Sequence, residues 1–149
     1  MFEMPRISPE EARARAERAS RFLAADLRVK LVFLFGSAAD PDRAIPVRDV
    51  DIAILTEPDL DLGAFLNLRA DTVAAAGGEI DLVLLNEAGV ILTHEVAETG
   101  ICLYSDPPDL ETEFVCRAIM RYLDFKPYFR EQWRIAGERL AERRRGSAS

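Results

Sequence analysis

The chain has 149 residues, 49% of them apolar and 30% charged, which is the composition of one soluble globular domain and excludes a disordered tail or a low-complexity linker. A net charge of −7 and a pI of about 4.8 speak against a protein that coats DNA, since such proteins are normally basic. Two cysteines are too few for a disulfide scaffold or a four-thiolate zinc site, one histidine argues against a histidine-based metal centre or a serine triad, and no apolar run approaches the roughly 20 residues that cross a bilayer.

The first segment, Met1 to Ser20, is studded with Glu and Arg and is not expected to be a signal peptide, so the cytoplasm is the default location. Ser8-Pro9-Glu10-Glu11 reads as a capping box with proline at the first helical position, and opens a helix over about 8–27. Val29 to Phe35 is apolar almost throughout and stops at Gly36, which predicts a strand buried on both faces. Ser37-Ala38-Ala39 starts a short helix, and a polar, proline-containing stretch follows to Val47. Asp49 to Leu55 alternates acid and apolar before turning fully apolar, the pattern of a second strand.

Leu62 to Ala76 reads as a helix ended by Gly77-Gly78, Ile80 to Leu85 as a third strand, Glu87 to Thr99 as a helix closed by Gly100, and Ile101 to Tyr104 as a short fourth strand. Asp109 is placed to cap a C-terminal helical region over about 109–145, which Pro127 should kink or split. The closing Arg143-Arg144-Arg145 run is expected to fray. Nothing suggests a repeat, a linker or a second domain, so residues 1–149 form one unit with its core at about 29–104. From Glu113 onward nine Lys and Arg face five Asp and Glu, a net +4, which leaves −11 for Met1 to Thr112. An acidic body with a basic tail implies an intrachain match or an acidic partner for the tail.

The acids carry the chemistry. Asp49 and Asp51 are two apart on a predicted strand, so both side chains leave the same face. Two carboxylates on an otherwise apolar strand repel one another and lose hydration. A divalent cation relieves both penalties, and hard oxygen ligands suit Mg²⁺, which is held by one or two carboxylates together with substrate phosphates. Asp81 interrupts another apolar strand in the same way. If the strands are neighbours the three acids converge, as in metal-assisted phosphoryl or nucleotidyl transfer. Gly36-Ser37 follows the first strand directly, where glycine lets backbone approach a phosphate and the helix start offers free N–H groups.

Phe35-Gly36-Ser37 followed by Asp49-Val50-Asp51 resembles the Gly-Ser…Asp-x-Asp signature of the DNA polymerase β-like nucleotidyltransferase superfamily, and the small size resembles its minimal nucleotidyltransferase (MNT) branch. The resemblance covers roughly Val29 to Tyr104, and the C-terminal helical region looks like that of MNT antitoxins. It implies an α/β domain with a small mixed β-sheet flanked by helices. It also implies ATP as substrate, its phosphates on Gly36 and Ser37, Mg²⁺ on Asp49 and Asp51, and Asp81 as a metal ligand or acceptor of the hydroxyl proton. The partner it implies is a HEPN-type ribonuclease toxin, silenced by transfer of AMP or, if the site is inactive, by direct binding. A homo-oligomer is compatible with this reading, and transfer to a small molecule is a weaker one, because 149 residues leave little material for an acceptor pocket.

Two departures stand out. The family commonly has Gly-Ser-x-Ala-Arg-Gly, whereas this chain has Gly36-Ser37-Ala38-Ala39-Asp40-Pro41, with an acid in place of the arginine. Ser often precedes the first acid, and here that position is Arg48; Arg43 and Arg48 are the cations available as substitutes. Elsewhere the plain readings win. His94 is a helix-face residue, Cys102 and Cys116 are buried thiols, and Phe125, Tyr128, Phe129 and Trp133 are packing residues, with a partner groove as the sharper alternative.

Overall fold

A computed structural model of the protein describes residues 6–42 and 45–147. In chain order the elements are α1 (Pro9–Ala24), β1 (Val29–Phe35), β2 (Asp51–Thr56), α2 (Leu62–Ala76), β3 (Asp81–Leu84), α3 (Val90–Thr99), β4 (Ile101–Ser105) and α4 (Leu110–Ser147). Short 3₁₀ turns follow β1 and β3, at Gly36–Ala39 and Leu85–Glu87. The four strands form one mixed sheet in the order β3-β2-β1-β4. β1 is antiparallel to both β2 and β4, while β2 and β3 are parallel, joined by the α2 crossover.

Each face of the sheet carries its own apolar layer. Ala12, Ala16, Ala19 and Leu23 of α1 and Leu68 and Ala76 of α2 pack on Val32, Leu34, Ile52, Ile54 and Leu82. On the opposite face Leu31, Phe33, Phe35 and Ala53 meet Val96 of α3, and Phe114 and Val115 of α4 lie against them. Phe33 and Phe114 are in ring contact at 5.5 Å. β1 is therefore enclosed on both sides, as its almost continuous apolar run, interrupted only by Lys30, predicts. Each fully buried Leu, Ile or Phe adds about 1.5–3 kcal/mol of burial energy.

The expected Ser8 cap and Gly77 stop are both present, and Asp61 adds a cap at the start of α2. The Ser8 hydroxyl accepts the Glu11 N–H at 3.1 Å, the Asp61 carboxylate accepts the Ala64 N–H at 2.7 Å, and Gly77 closes α2 in the left-handed region at φ 75°. At the start of α4 the cap differs from expectation: the Ser105 hydroxyl, rather than the Asp109 side chain, accepts the Glu111 N–H at 3.1 Å.

α4 departs most from the sequence reading. Pro127 lies inside one continuous helix and does not split it, and the arginine run is helical through Ser147 instead of frayed. The backbone bond that proline forgoes would have ended on the Leu123 carbonyl, and Leu123 is exposed, so water can take that position. Ring contacts of Tyr122 and Phe125 with Phe129 span the proline. His94 of α3 stacks on Tyr122 with centroids 3.7 Å apart, the helix-face role expected of it. Phe125, Tyr128 and Trp133 are exposed, not core, and Cys116 is exposed rather than buried. Cys102 is half-buried, and burial first, then the Glu111 charge, pushes its thiol up to about 11. Among the described residues no helix is long and apolar enough to cross a membrane.

Candidate nucleotide and metal site

β2 begins at Asp51, so Asp49 sits in the approach to the strand rather than on it. The alternation the sequence shows nevertheless persists. Val50 is buried against α1 and α2, while Asp49 is exposed on one side of it and Asp51 half-buried on the other. An isolated bridge steadies this approach: Ile7 and Val47 exchange both backbone N–H···O bonds at 2.9 Å.

Asp51 is the centre of the arrangement. In the β-ladder it stands opposite Phe35 on β1 and opposite Asp81 on β3, so the three side chains share the face of the sheet that α3 covers. The Asp81 N–H donates to the Val50 carbonyl at 2.9 Å, which locks this register at the strand ends. The neighbours of Asp51 raise its pKa to about 6, by desolvation first, then by the charges of Asp81, Asp49 and Glu95. The two other predicted acids thus both act on Asp51. Glu95, on α3, is a fourth carboxylate that the sequence gives no reason to include, because only the packing of α3 on the sheet brings it near.

Gly36 supports the same point. Its φ of +72° lies in the left-handed region, and a Cβ there would collide with the Asp51 carboxylate. Only glycine allows the backbone at the end of β1 to pass this close to the acid. Ser37 follows, half-buried, its carbonyl accepting the Asp40 N–H at 3.3 Å. The helix expected here is only the four-residue 3₁₀ turn Gly36–Ala39. Little macrodipole is available, and a phosphate would be met by individual N–H groups and the Ser37 hydroxyl. Asp40 is exposed, and its carboxylate accepts the Asp42 N–H at 3.0 Å, closing a local turn. Arg43 lies outside the described residues. Arg48 is exposed and lines a cavity together with Asp49 and Asp81.

Among the described residues no three or more His, Cys, Asp and Glu form a group that could hold a metal ion by itself. The donor chemistry still suits Mg²⁺: hard carboxylate oxygens that repel one another, beside an open backbone turn able to present phosphate oxygens for the remaining positions.

Comparison with known proteins agrees with this fold. The family model for the polymerase beta nucleotidyltransferase domain matches residues 17–109. No curated protein matches the chain. Among solved structures, a toxin–antitoxin crystal structure with AMP-PNP is 26% identical, with a TM-score of 0.67, covering 82% of this chain and 96% of that one. A tri-AMPylated Shewanella oneidensis HEPN toxin in complex with MNT antitoxin is matched at 25% identity and a TM-score of 0.64, over 85% of this chain and 97% of that one. A mutant of the toxin–antitoxin MntA–HpeT is matched at 25% identity and a TM-score of 0.65, over 82% and 96%. The family model spans more than half of the sequence and takes in Gly36, Ser37 and all three acids, so the chain belongs to the polymerase beta nucleotidyltransferase family.

Proposed function

We propose that this protein is an antitoxin that transfers AMP from ATP to a hydroxyl on a HEPN-type ribonuclease toxin. The observation that carries the reading is the pairing of Asp51 with Asp81 on neighbouring strands, against the Gly36 turn. The similarity to a toxin–antitoxin with AMP-PNP and to an MNT antitoxin beside an AMPylated HEPN toxin supports both the nucleotide and the partner.

In this reading the backbone N–H groups of the Gly36–Ala39 turn and the Ser37 hydroxyl hold the triphosphate. Asp49 and Asp51 are the residues that would hold Mg²⁺, which when bound neutralises phosphate charge and orients the α-phosphate. The acceptor oxygen attacks the α-phosphorus, the new O–P bond forms, the bond to pyrophosphate breaks, and pyrophosphate leaves with its electron pair. Asp81, at the start of the outer strand β3 and exposed, accepts the hydroxyl proton. Phe35, buried in the apolar layer under α3, stands beside Asp51 and shields that carboxylate on one side.

The test is calorimetric titration of ATP with Mg²⁺ and with EDTA, on wild type and on Asp49→Asn/Asp51→Asn. Binding that needs Mg²⁺ and is lost in the double variant supports the site. Mass spectrometry of a co-purified toxin then tests transfer. A binding-only antitoxin is the second reading, favoured by Asp40 in place of the family arginine and by the exposed Tyr128 and Trp133 on α4. In that case the toxin is neutralised without gaining AMP.

A further inference from the structure

A cavity of about 700 Å³ opens beside the acids, between α1, α2 and the segments that lead into β2 and β3. Arg15, Arg48 and Arg69 line it, with Asp49, Asp81 and Glu79 on its rim. Arg15 is largely enclosed: its Nη1 donates to the Glu79 carbonyl at 3.1 Å, its Nη2 is 3.7 Å from Glu11, and its buried Nε has no hydrogen-bond partner. Arg48 and Arg69 are exposed, and among the described residues neither forms an ion pair. Three arginines in one cavity are unexpected on a body that carries −11 over Met1 to Thr112.

The location decides what they meet. Gly36 and Ser37 follow β1, on one side of β2, while Asp81 starts β3 on the other. In-line transfer places the leaving pyrophosphate and the acceptor hydroxyl on opposite sides of the phosphorus. A triphosphate on the Gly36–Ser37 side therefore leaves the acceptor on the side of Asp81, and Asp81, with Asp49, also borders the arginine cavity, which opens towards α1 and α2. A polyphosphate chain such as RNA would be repelled by the acidic body. A short segment with one or two carboxylates would not, and guanidinium groups pair with carboxylates in bidentate fashion.

We infer that this cavity binds an acidic peptide segment of the acceptor protein, seating a Glu or Asp side chain on Arg48 and Arg69 beside the hydroxyl to be modified. The inference rests on the nucleotidyl-transfer reading for its direction, and Arg48 and Arg69 are positioning residues in it.

The experiment uses the full chain and two fluorescent five-residue peptides, one with tyrosine between two glutamates and one with tyrosine between two glutamines. Anisotropy titrations are run on wild type, Arg48→Gln and Arg69→Gln, with a five-nucleotide single-stranded RNA and Mg²⁺–ATP titrated alongside. The glutamate peptide is expected to bind wild type about tenfold more tightly than the glutamine peptide, and each variant to lose most of that preference. ATP affinity is expected to be unchanged in Arg69→Gln. Equal binding of the two peptides to wild type overturns the inference. So does tighter binding of the RNA, or a loss of ATP affinity in Arg69→Gln, which would make the cavity part of the triphosphate site. Peptide discrimination without any Mg²⁺-dependent ATP binding upholds the cavity and sinks the transfer reading instead.

Discussion

Asp51 and Asp81 are direct partners in the parallel pairing of β2 and β3, so their backbones are one strand spacing apart and their carboxylates leave the same face. Apolar strands do not place two acids side by side without a cost. Here Asp51 bears most of it, with its pKa raised to about 6 by desolvation and by the neighbouring charges.

That shift has a sign. The metal-free folded protein holds the Asp51 proton more tightly than the unfolded chain does, for which the reference value is 3.8. The group's contribution to stability is fully present below pH 3.8 and is lost as pH rises through about 6. Asp51→Asn should therefore stabilise the metal-free protein at pH 7 by about 1–3 kcal/mol and flatten its stability profile between pH 4 and 6. Urea unfolding in EDTA across that range measures it, and an Asp51→Asn variant less stable than wild type at pH 7 would contradict the argument. Mg²⁺-dependent ATP binding by wild type should weaken below about pH 6, where Asp51 is protonated.

Gly36 tolerates no side chain. Gly36→Ala forces a Cβ onto the Asp51 carboxylate in a left-handed conformation, and should cost about 1–3 kcal/mol together with most ATP affinity. Adding Asp51→Ala removes the collision but not the strained φ. The double variant should recover part of the stability and none of the nucleotide binding. Because removing the Asp51 charge is itself stabilising, the reference is Asp51→Ala alone, and a double variant as stable as that one would mean that the backbone conformation is unimportant.

Asp81 is expected to act on the rate more than on binding. Asp81→Asn should leave ATP affinity within a few-fold of wild type and slow AMP transfer to the co-purified toxin by about 10²-fold or more. Steeper pH dependence in the wild type than in the variant would mark a proton acceptor. Unchanged transfer would remove Asp81 from the chemistry.

The aromatic residues of α4 divide into two kinds. Tyr122 stacks on His94 and ties α4 to α3, so Tyr122→Ala should lower stability by about 1–2 kcal/mol. Trp133 is 73% exposed, so Trp133→Ala should leave unfolding within about 0.5 kcal/mol of wild type. If α4 docks a partner, the same change should weaken toxin binding by more than about 1 kcal/mol. Thermal melts paired with a toxin pull-down separate the two effects, and a destabilised Trp133→Ala with normal toxin binding would reverse the assignment.

Most of the fold was legible in the sequence because its signals are local. The Ser8 cap, the nearly continuous apolar run of β1, the Gly77 end of α2 and the four strands each depend on neighbours a few residues away. The Gly-Ser and Asp-x-Asp spacing was legible for the same reason: turn, strand and alternation fall within one stretch of chain. The aromatic positions of α4 misled because helical spacing states which residues share a face but not whether anything covers that face.

The sequence by itself determined which residue types recur with strand and helix periods, where glycine is needed, and that acids interrupt two apolar strands. Only the tertiary structure decided that β3 lies beside β2 in the register that pairs Asp81 with Asp51, that Glu95 reaches their field, and that Arg15, Arg48 and Arg69 meet in one cavity. These groups are brought together by crossovers and by packing across the sheet. Such contacts join residues far apart in the chain, and no local periodicity encodes which of them will meet.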